Sequence, residues 1–433
     1  MELQLKNIGM IKEAKVKIDG LTVIAGENDT GKSTVGKVIF CIIKAISRYE
    51  EDFKESKIFK IEEILDRLFF YLRRNINFED DDNAEDYYDS LKEIFSLDYY
   101  LENKNDEQYI NDLIKPLEIW LDETILPKMK KLISELEFIM KTPEDKNKLI
   151  ENALNKVFRS EFDSNIVSFE EDIGFIKLFE NNLILLDLKI ENNKIKVINE
   201  VEPIEFDEVT FIETPLIFNN HDMLARSQTG LDITKRSSRR LGVPYTTLHT
   251  KDLFDKLKST SFGLFEEDDF KEKIQNSIIN IINGKIIYDV EERDFVYIKN
   301  GQKIPIKNTA TGIKAFGIIQ LLIENDFINR KSILVLDEPE IHIHPKWQLK
   351  YAQLISILVK NEIPIIVTSH SPYIIDALKY YIEKENLNSN FYLAQKNKDE
   401  TSSISDMSMD ISPIFEKLTK PLRELRKMKL GLS

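Results

Sequence analysis

The residues with the clearest chemical potential form a glycine-rich loop that can hold phosphate groups. Residues 26–34 read Gly-Glu-Asn-Asp-Thr-Gly-Lys-Ser-Thr, which is the G-x-x-x-x-G-K-[ST] spacing. In such a loop backbone N–H groups face the phosphates, Lys32 reaches the β and γ phosphates, and Ser33 offers a hydroxyl to Mg²⁺. The other predicted nucleotide contacts are Gly26, Asn28, Gly31 and Thr34. We therefore predict that ATP or GTP binds here with Mg²⁺; the alternative is a loop of this pattern that binds nothing.

A second set of residues, about 300 positions later, can bind the metal and activate water. The apolar residues 333–336 lead into Asp337 and Glu338, and a buried parallel strand places such acids at the sheet edge where α/β proteins bind ligands. Asp337 is predicted to hold Mg²⁺, and Glu338 to orient the attacking water. The apolar run 363–367 leads similarly to His370, which could touch the γ-phosphate. The alternative for Glu338 and His370 is an ordinary polar residue after a strand.

The elements that position these residues indicate an α/β core interrupted by a long insertion. Residues 21–25 read as a buried strand before the loop, and apolar residues from Val35 to Ile46 follow at helical spacing. The prediction is an ATPase core of mixed sheet, flanking helices and a β-lobe, carrying a large helical insertion. Its parts are the first core segment (1–48), the helical insertion (49–170), a β-meander rejoining the core (171–280) and the second core segment (281–433).

The insertion has the character of charged helices without glycine. Apolar residues between Ile110 and Ile139 keep near-heptad spacing, which Pro116 and Pro127 interrupt. Two interpretations remain open. The helices form an arm that packs on itself or on a second subunit, or they form a lid with no partner.

The three motifs together resemble the ABC-type ATPases of the RecF, SMC and OLD kind. The residues that carry the resemblance are Gly-Glu-Asn-x-x-Gly-Lys-Ser-Thr at 26–34, Leu-Asp-Glu-Pro-Glu-Ile-His-Ile-His-Pro at 336–345 and Thr-Ser-His-Ser-Pro at 368–372. The stretch after the acid pair is similar to OLD-like ATPases of bacterial defence, such as those of the PARIS and Septu systems. The resemblance implies ATP and Mg²⁺ at Lys32 and Ser33. It also implies hydrolysis by Asp337 and Glu338, with His370 as the switch histidine.

The resemblance further implies a signature segment that caps the γ-phosphate of a second subunit. The segment in the right place is 308–314, in which Thr311 and Gly312 can present a hydroxyl and a helix N-terminus. The usual serine, however, aligns with Ala310, and the usual polar residue aligns with Ile313. We therefore expect a homodimer or higher homo-oligomer that hydrolyses ATP slowly. The alternative is an ordinary helix start after a hairpin.

Composition limits the partners and the compartment. The net charge of −15 disfavours general binding of nucleic acid, although Lys235, Arg236, Arg239 and Arg240 form a basic cluster. That cluster is either a solvated loop or a contact with phosphates of DNA or RNA. One cysteine and the absence of an apolar run of about 18 residues predict a cytoplasmic protein without a membrane span.

The expected function is an ATPase that controls another protein. Asp406 and Asp410 do not have the Asp-x-Asp spacing of a nuclease, so we expect a separately encoded effector, a nuclease or toxin, in defence against phage. One alternative is a RecF-like repair ATPase that acts on DNA directly. Another is a nucleotide-gated scaffold that does not hydrolyse ATP, which the residue at Ala310 would explain.

Overall fold

The structure is a computed structural model whose described residues fall into two compact units. It describes residues 1–75, 84–104, 106, 108–121, 123, 125–141, 145–163, 165–169, 171–231, 243–259, 269–341 and 343–429. The core unit consists of Met1–Ser47 and Ile150–Ser433, and the helical unit of Arg48–Leu149. Among the described residues, no helix combines the length and apolarity that crossing a bilayer requires.

The strands all belong to the core unit. Their bounds are β1 (Glu2–Ile8), β2 (Ile11–Lys17), β3 (Leu21–Gly26), β4 (Ile173–Glu180), β5 (Leu183–Glu191), β6 (Lys194–Val197), β7 (Glu208–Ile212), β8 (Lys285–Asp289), β9 (Asp294–Lys299), β10 (Gln302–Pro305), β11 (Ser332–Asp337), β12 (Ile365–Ser369), β13 (Ser389–Lys396) and β14 (Ser402–Asp406). Eleven of them form one sheet in the order β6-β5-β4-β1-β2-β14-β13-β3-β12-β11-β7, and β8, β9 and β10 form a separate sheet.

The helices flank the large sheet or build the helical unit. Their bounds are α1 (Lys32–Asn75), α2 (Ala84–Ile94), α3 (Leu97–Asn103), α4 (Tyr109–Trp120), α5 (Leu126–Lys141), α6 (Lys146–Phe162), α7 (His221–Arg226), α8 (Leu248–Lys258), α9 (Asp269–Ile282), α10 (Thr311–Glu324), α11 (Pro345–Lys360), α12 (Pro372–Lys384) and α13 (Ser412–Lys429). The predicted α/β fold with a mixed sheet, flanking helices and a β-lobe is confirmed.

The large sheet has a parallel half and an antiparallel half. Strands β13, β3, β12, β11 and β7 run parallel, so their carboxyl ends meet at one edge. Strands β2, β1, β4, β5 and β6 pair antiparallel and form the β-lobe. The lobe turns at Asn181-Asn182 and Asn192-Asn193, where all four residues have positive φ, which asparagine tolerates. The parallel edge is where the acids of the sequence motifs come together.

The parallel strands are buried on both faces because helices cover them. Every residue of β3, β11 and β12 is buried, as expected for a sheet between two helical layers. Helices α10, α11 and α12 contribute to a continuous apolar core with β3, β11 and β12. Each fully buried leucine or isoleucine in such a core stabilises the fold by about 1.5–3 kcal/mol. The edge where these acids meet is therefore backed by a continuous packed core.

The helical unit has an apolar core of its own. Leu113, Leu117, Met129, Leu132 and Leu136 of the near-heptad pattern are all buried in this core, where α4 packs against α5. Pro116 lies inside α4, and α5 begins at the residue before Pro127. The apolar spacing is thus satisfied within the unit itself.

The helical unit is shorter than the insertion predicted for residues 49–170. It ends at Leu149, and most of α6 belongs to the core unit. Within the core unit, the Asn155 side chain of α6 donates to the Ile195 carbonyl and accepts from the Ile195 N–H, both at 2.9 Å. These two bonds join α6 to the edge strand β6. The amino-acid composition of the helix does not predict them.

Candidate functional site

The phosphate loop, residues 26–34, joins the end of β3 to the start of α1. The chain turns through positive φ angles of 60° at Asp29 and 76° at Gly31. A Cβ atom at Gly31 would lie 2.7 Å from Ile11 Cγ1, so only glycine fits this turn. Lys32 is 4% exposed, and its Nζ donates to the Glu27 carbonyl at 2.7 Å. The loop backbone therefore forms a cradle, and the ammonium group of Lys32 is held inside it.

The other predicted loop contacts lie in the same turn. Gly26 ends β3, where a Cβ atom would come within 2.5 Å of the Ala394 carbonyl oxygen. Asn28 is exposed, and the Thr34 N–H donates to the Gly31 carbonyl at 3.1 Å. The structure therefore brings all six predicted loop residues into one segment.

Ser33 and Asp337 form an oxygen-rich corner beside the loop. Ser33 Oγ donates to Asp337 Oδ1 at 2.8 Å, and Thr368 Oγ1 donates to the same oxygen. Burial raises the pKa of Asp337, while its hydrogen bonds from Thr368 and Ser33 act in the opposite direction. Mg²⁺ is bound by oxygen ligands, which carboxylates, hydroxyl groups and substrate phosphates supply. A bound cation would also offset the cost of burying the charge of this carboxylate. The residues present fit Mg²⁺, which Ser33 and Asp337 would hold.

Glu338 follows β11 in a left-handed backbone conformation. Its φ is 46°, which for a residue with a side chain costs about 1–3 kcal/mol and is most common at functional sites. Its N–H is held by the carbonyl and the hydroxyl of Thr368, both at 3.1 Å. Its Oε1 lies 3.6 Å from Lys32 Nζ and 3.3 Å from His370 Nδ1. The turn thus directs this carboxylate between the loop lysine and the predicted switch histidine.

Glu340, to which the sequence analysis gave no role, holds the segment that carries His370. Its Oε1 accepts hydrogen bonds from Ser369 Oγ at 2.7 Å, the His370 N–H at 2.9 Å and the Ser371 N–H at 3.1 Å. Burial raises the pKa of Glu340, and these hydrogen bonds oppose that effect. Its position in the 336–345 motif, two residues after Glu338, is the signal that could have identified it.

Glu213 is a second acid that the sequence analysis missed. Strand β7 pairs in parallel with β11, with Ile212 opposite Leu336, so Glu213 and Asp337 follow at neighbouring strand ends. The Glu213 side chain is 52% exposed, and its Oε2 lies 3.1 Å from His249 Nε2. The hydrogen bond from His249 lowers the pKa of Glu213. An acid that ends a buried strand is the signal that could have identified it.

Thr311 and Gly312 begin α10. Within the described residues, no hydrogen bond or ion pair joins either of them to the phosphate loop. Ala310 precedes them and supplies no side-chain hydrogen bond to the first turn. A Cβ atom at Gly312 would lie 2.8 Å from Trp347 Cε3, so this glycine also permits close packing. Their role toward a second copy stays a prediction.

The remaining polar residues of interest are the basic cluster and the two histidines of the 336–345 motif. The basic cluster Lys235, Arg236, Arg239 and Arg240 lies outside the described residues, and so does His342. His344 caps α11, where its Nδ1 accepts from the Lys346 N–H at 3.2 Å. In the described part of the chain, no group of three or more His, Cys, Asp or Glu residues could hold a metal ion.

The strand order, the loop and the acid pair define a P-loop ATPase, and comparison with known proteins agrees. The model of the AAA ATPase domain family matches residues 1–375. The chain belongs to this family.

Two curated relatives match parts of the chain. The "Retron Vc95 probable ATPase" of Vibrio cholerae serotype O1 biovar El Tor is 27% identical over 139 residues, which are 30% of this chain and 26% of that protein. The "Septu protein PtuA" of Bacillus thuringiensis is 30% identical over 130 residues, which are 28% of this chain and 30% of that protein. The chain thus spans less than a third of the length of either relative.

Solved structures of SMC heads also align with the chain over most of its length. The SMC head domain from Thermotoga maritima covers 94% of this chain and 97% of its own, with 11% identity and a TM-score of 0.38. An SMC head bound to the C-terminal winged-helix domain of ScpA covers 95% of this chain and 98% of its own, with 11% identity and a TM-score of 0.39.

Proposed function

We propose that two copies of this chain bind Mg·ATP between them, hydrolyse it slowly, and use the cycle to control a separately encoded effector in defence against phage. The observation that supports this most strongly is the arrangement of five side chains from three segments, the phosphate loop and the ends of β11 and β12. Ser33 contacts Asp337, and Glu338 lies between Lys32 and His370. One sheet edge thus brings together the phosphate loop, the oxygen-rich corner of Ser33 and Asp337, and the acid assigned to activate water.

The chemistry assigned to this edge divides among the side chains. The backbone of the loop and Lys32 bind the phosphates, and Ser33 and Asp337 hold Mg²⁺. Bound Mg²⁺ neutralises charge on the β and γ phosphates. Glu338 accepts the proton of the attacking water, because its carboxylate is oriented by the turn after β11.

His370 reports the state of the γ-phosphate in this proposal. Its Nδ1 lies near Glu338, and its backbone N–H is fixed by Glu340. The same Glu340 oxygen also accepts from Ser371, the residue before α12 begins. A movement of His370 on loss of phosphate would therefore reach α12 directly.

The second copy contributes the start of its α10. The partner's helix N-terminus, at Thr311 and Gly312, meets the γ-phosphate, because unbonded N–H groups at a helix start bind anions. The cap at Ala310 lacks the hydroxyl that serine would offer. This difference is the reason for the expected slow turnover.

The assignment to defence rests on the two curated relatives, whose names place them in a retron and in Septu. The effector is a nuclease or toxin encoded separately, and the proposed compartment is the cytoplasm. The alternative that the chain repairs DNA directly, as RecF-like ATPases do, predicts a different result in the same experiment. So does a nucleotide-gated scaffold that does not hydrolyse ATP.

A phosphate-release assay combined with a cleavage assay on the purified chain tests the proposal. We expect ATP turnover that requires Mg²⁺, and no cleavage of DNA or RNA by the chain alone. Toxicity in cells should require the product of a neighbouring gene. Turnover stimulated by DNA, without any effector, would favour repair. An absence of turnover would favour the scaffold.

A further inference from the structure

Helix α8 is attached to strand β7 by a buried ionic side chain at each end. At the amino end of β7, Lys256 Nζ donates to Glu208 Oε1 at 2.9 Å and to the Val209 carbonyl at 2.6 Å. At the carboxyl end, His249 Nε2 lies 3.1 Å from Glu213 Oε2. Only the second attachment is at the sheet edge that carries the site. Helix α8 thus carries two attachments to β7. The one at His249 lies at the sheet edge of the candidate site, and the one at Lys256 lies at the opposite end of the strand.

The imidazole ring of His249 is held at both nitrogens and packed on one face. Its Nδ1 lies 2.6 Å from Glu161 Oε1, and its backbone N–H donates to Glu161 Oε2 at 3.3 Å. The ring is 2% exposed and packs against Phe211, with ring centroids 4.8 Å apart. Lys37 Nζ lies 3.5 Å from Glu161 Oε1 and compensates part of the buried charge. With both nitrogens bonded and one face covered, the ring has a single orientation available.

That orientation determines where Glu213 points. Glu213 lies in the chain after the last residue of β7, and its side chain is 52% exposed. Without His249, this half-exposed carboxylate would sample several rotamers. With it, the carboxylate stays beside the strand end of Asp337. Glu213 and Asp337 therefore occupy neighbouring positions at the carboxyl ends of two parallel strands.

We infer that His249 is a positioning residue for ATP hydrolysis, which holds Glu213 at the sheet edge so that this carboxylate orients water beside Asp337. The inference rests on the proposed ATPase activity. Glu161 and Lys37 serve by fixing the ring. A misplaced orienting group costs about 100-fold in rate even when binding is unaffected, so the effect should appear in kcat.

Two substitutions of His249 separate positioning from structural support. The side-chain nitrogen of asparagine takes the place of Nδ1, so His249→Asn keeps the bond to Glu161 and loses Glu213. The amide of glutamine reaches the place of Nε2, so His249→Gln keeps Glu213 and leaves the buried Glu161 with fewer partners. We expect His249→Asn to have the higher melting temperature and His249→Gln the higher kcat. A purely structural role would give the same order for both quantities.

A double-mutant cycle on phosphate release completes the test. Glu213→Ala and His249→Asn should each lower kcat roughly 10- to 100-fold with KM for ATP within about twofold. Combining them should add less than about a twofold loss, because both remove the same interaction. Lys256→Met, which removes the remote attachment to Glu208, should lower the melting temperature, keep kcat near wild type, and combine with Glu213→Ala multiplicatively.

The outcomes distinguish this inference from the proposed function. If wild type turns over ATP and the kcat of His249→Asn is within about twofold of the wild-type value, the role of His249 is overturned and the proposed ATPase function stands. Multiplicative losses in the double variant also overturn it, since independent effects would then be shown. Wild type without turnover overturns the ATPase proposal and this inference together.

Discussion

Glu338→Gln lowers ATP turnover by about 100-fold or more and leaves ATP affinity nearly unchanged. The amide keeps the size of the side chain but cannot accept the proton of the attacking water, a contribution worth about 10²–10⁴ in rate. Affinity is preserved because the loop backbone and Lys32 bind the phosphates, and Glu338 only approaches Lys32 at 3.6 Å. Phosphate release and binding of a fluorescent ATP analogue measure the two quantities.

The matched control for this variant is Glu362→Gln. Glu362 also has a positive φ, 65°, and it lies at an exposed turn where it pairs with Arg330. It should retain wild-type turnover, which would show that glutamine in a left-handed conformation is harmless by itself. Equal turnover of Glu338→Gln and wild type would move the catalytic role to another residue.

Lys32→Met weakens ATP binding by about 10- to 100-fold. A charged hydrogen bond to phosphate contributes about 1.5–3 kcal/mol, and each 1.4 kcal/mol is a factor of ten in affinity. Methionine fills the space of the lysine stem, so the nearly buried position keeps its packing. Calorimetric titration of ATP with Mg²⁺ into the variant and wild type measures the loss.

Lys396→Met is the control for this second prediction. Lys396 Nζ contacts Asp29 Oδ2 of the same loop at 2.6 Å, but it lies on β13 and is partly exposed. Removing it deletes a lysine contact to the loop without removing the cation inside the cradle. A similar loss of affinity in both variants would mean that general loop stability, rather than Lys32, controls binding.

The phosphate loop and the acid pair were predictable because each motif carries its own local element. A strand, two glycines and a helix determine the geometry around Lys32 without reference to the rest of the chain. The apolar run before Asp337 likewise defines a buried strand that ends in an acid. Parallel pairing then places Asp337 opposite Thr368.

Glu213, Glu340 and His249 could not be assigned roles from the sequence, because their partners are set by tertiary pairing. The run 209–212 reads as a buried strand, yet nothing local says that β11 is its neighbour. His249 lies in a short helix, and its two carboxylate partners come from α6 and from the residue after β7. Buried ionic contacts between distant segments leave no periodic signal.

The helical insertion shows the same division between local and tertiary information. Near-heptad spacing predicted helices, and Leu113, Leu117 and Leu136 are buried in them. The spacing does not distinguish a core within the unit from a surface for a second subunit. The boundary at Leu149 is a property of the folded chain, in which α6 is also bonded to β6 through Asn155 and Ile195.

Any test of the second copy must avoid Gly312, because a side chain there would collide with Trp347 in the same chain. Ala310 is exposed and has no side-chain bond to lose. A large residue at this position, Ala310→Trp, obstructs the approach of a second copy and leaves contacts within the chain intact. It is therefore the appropriate variant for blocking assembly.

The molar mass of Glu338→Gln in solution, measured by light scattering with and without Mg·ATP, tests the central claim most directly. Because the variant binds ATP without consuming it, the closed assembly should accumulate. The helical unit could join copies without nucleotide, so the change in mass is the informative quantity. We expect ATP to double the mass, and either Lys32→Met or Ala310→Trp in the same background to abolish that change. A mass that is unchanged at saturating ATP would contradict the claim that nucleotide drives two copies together.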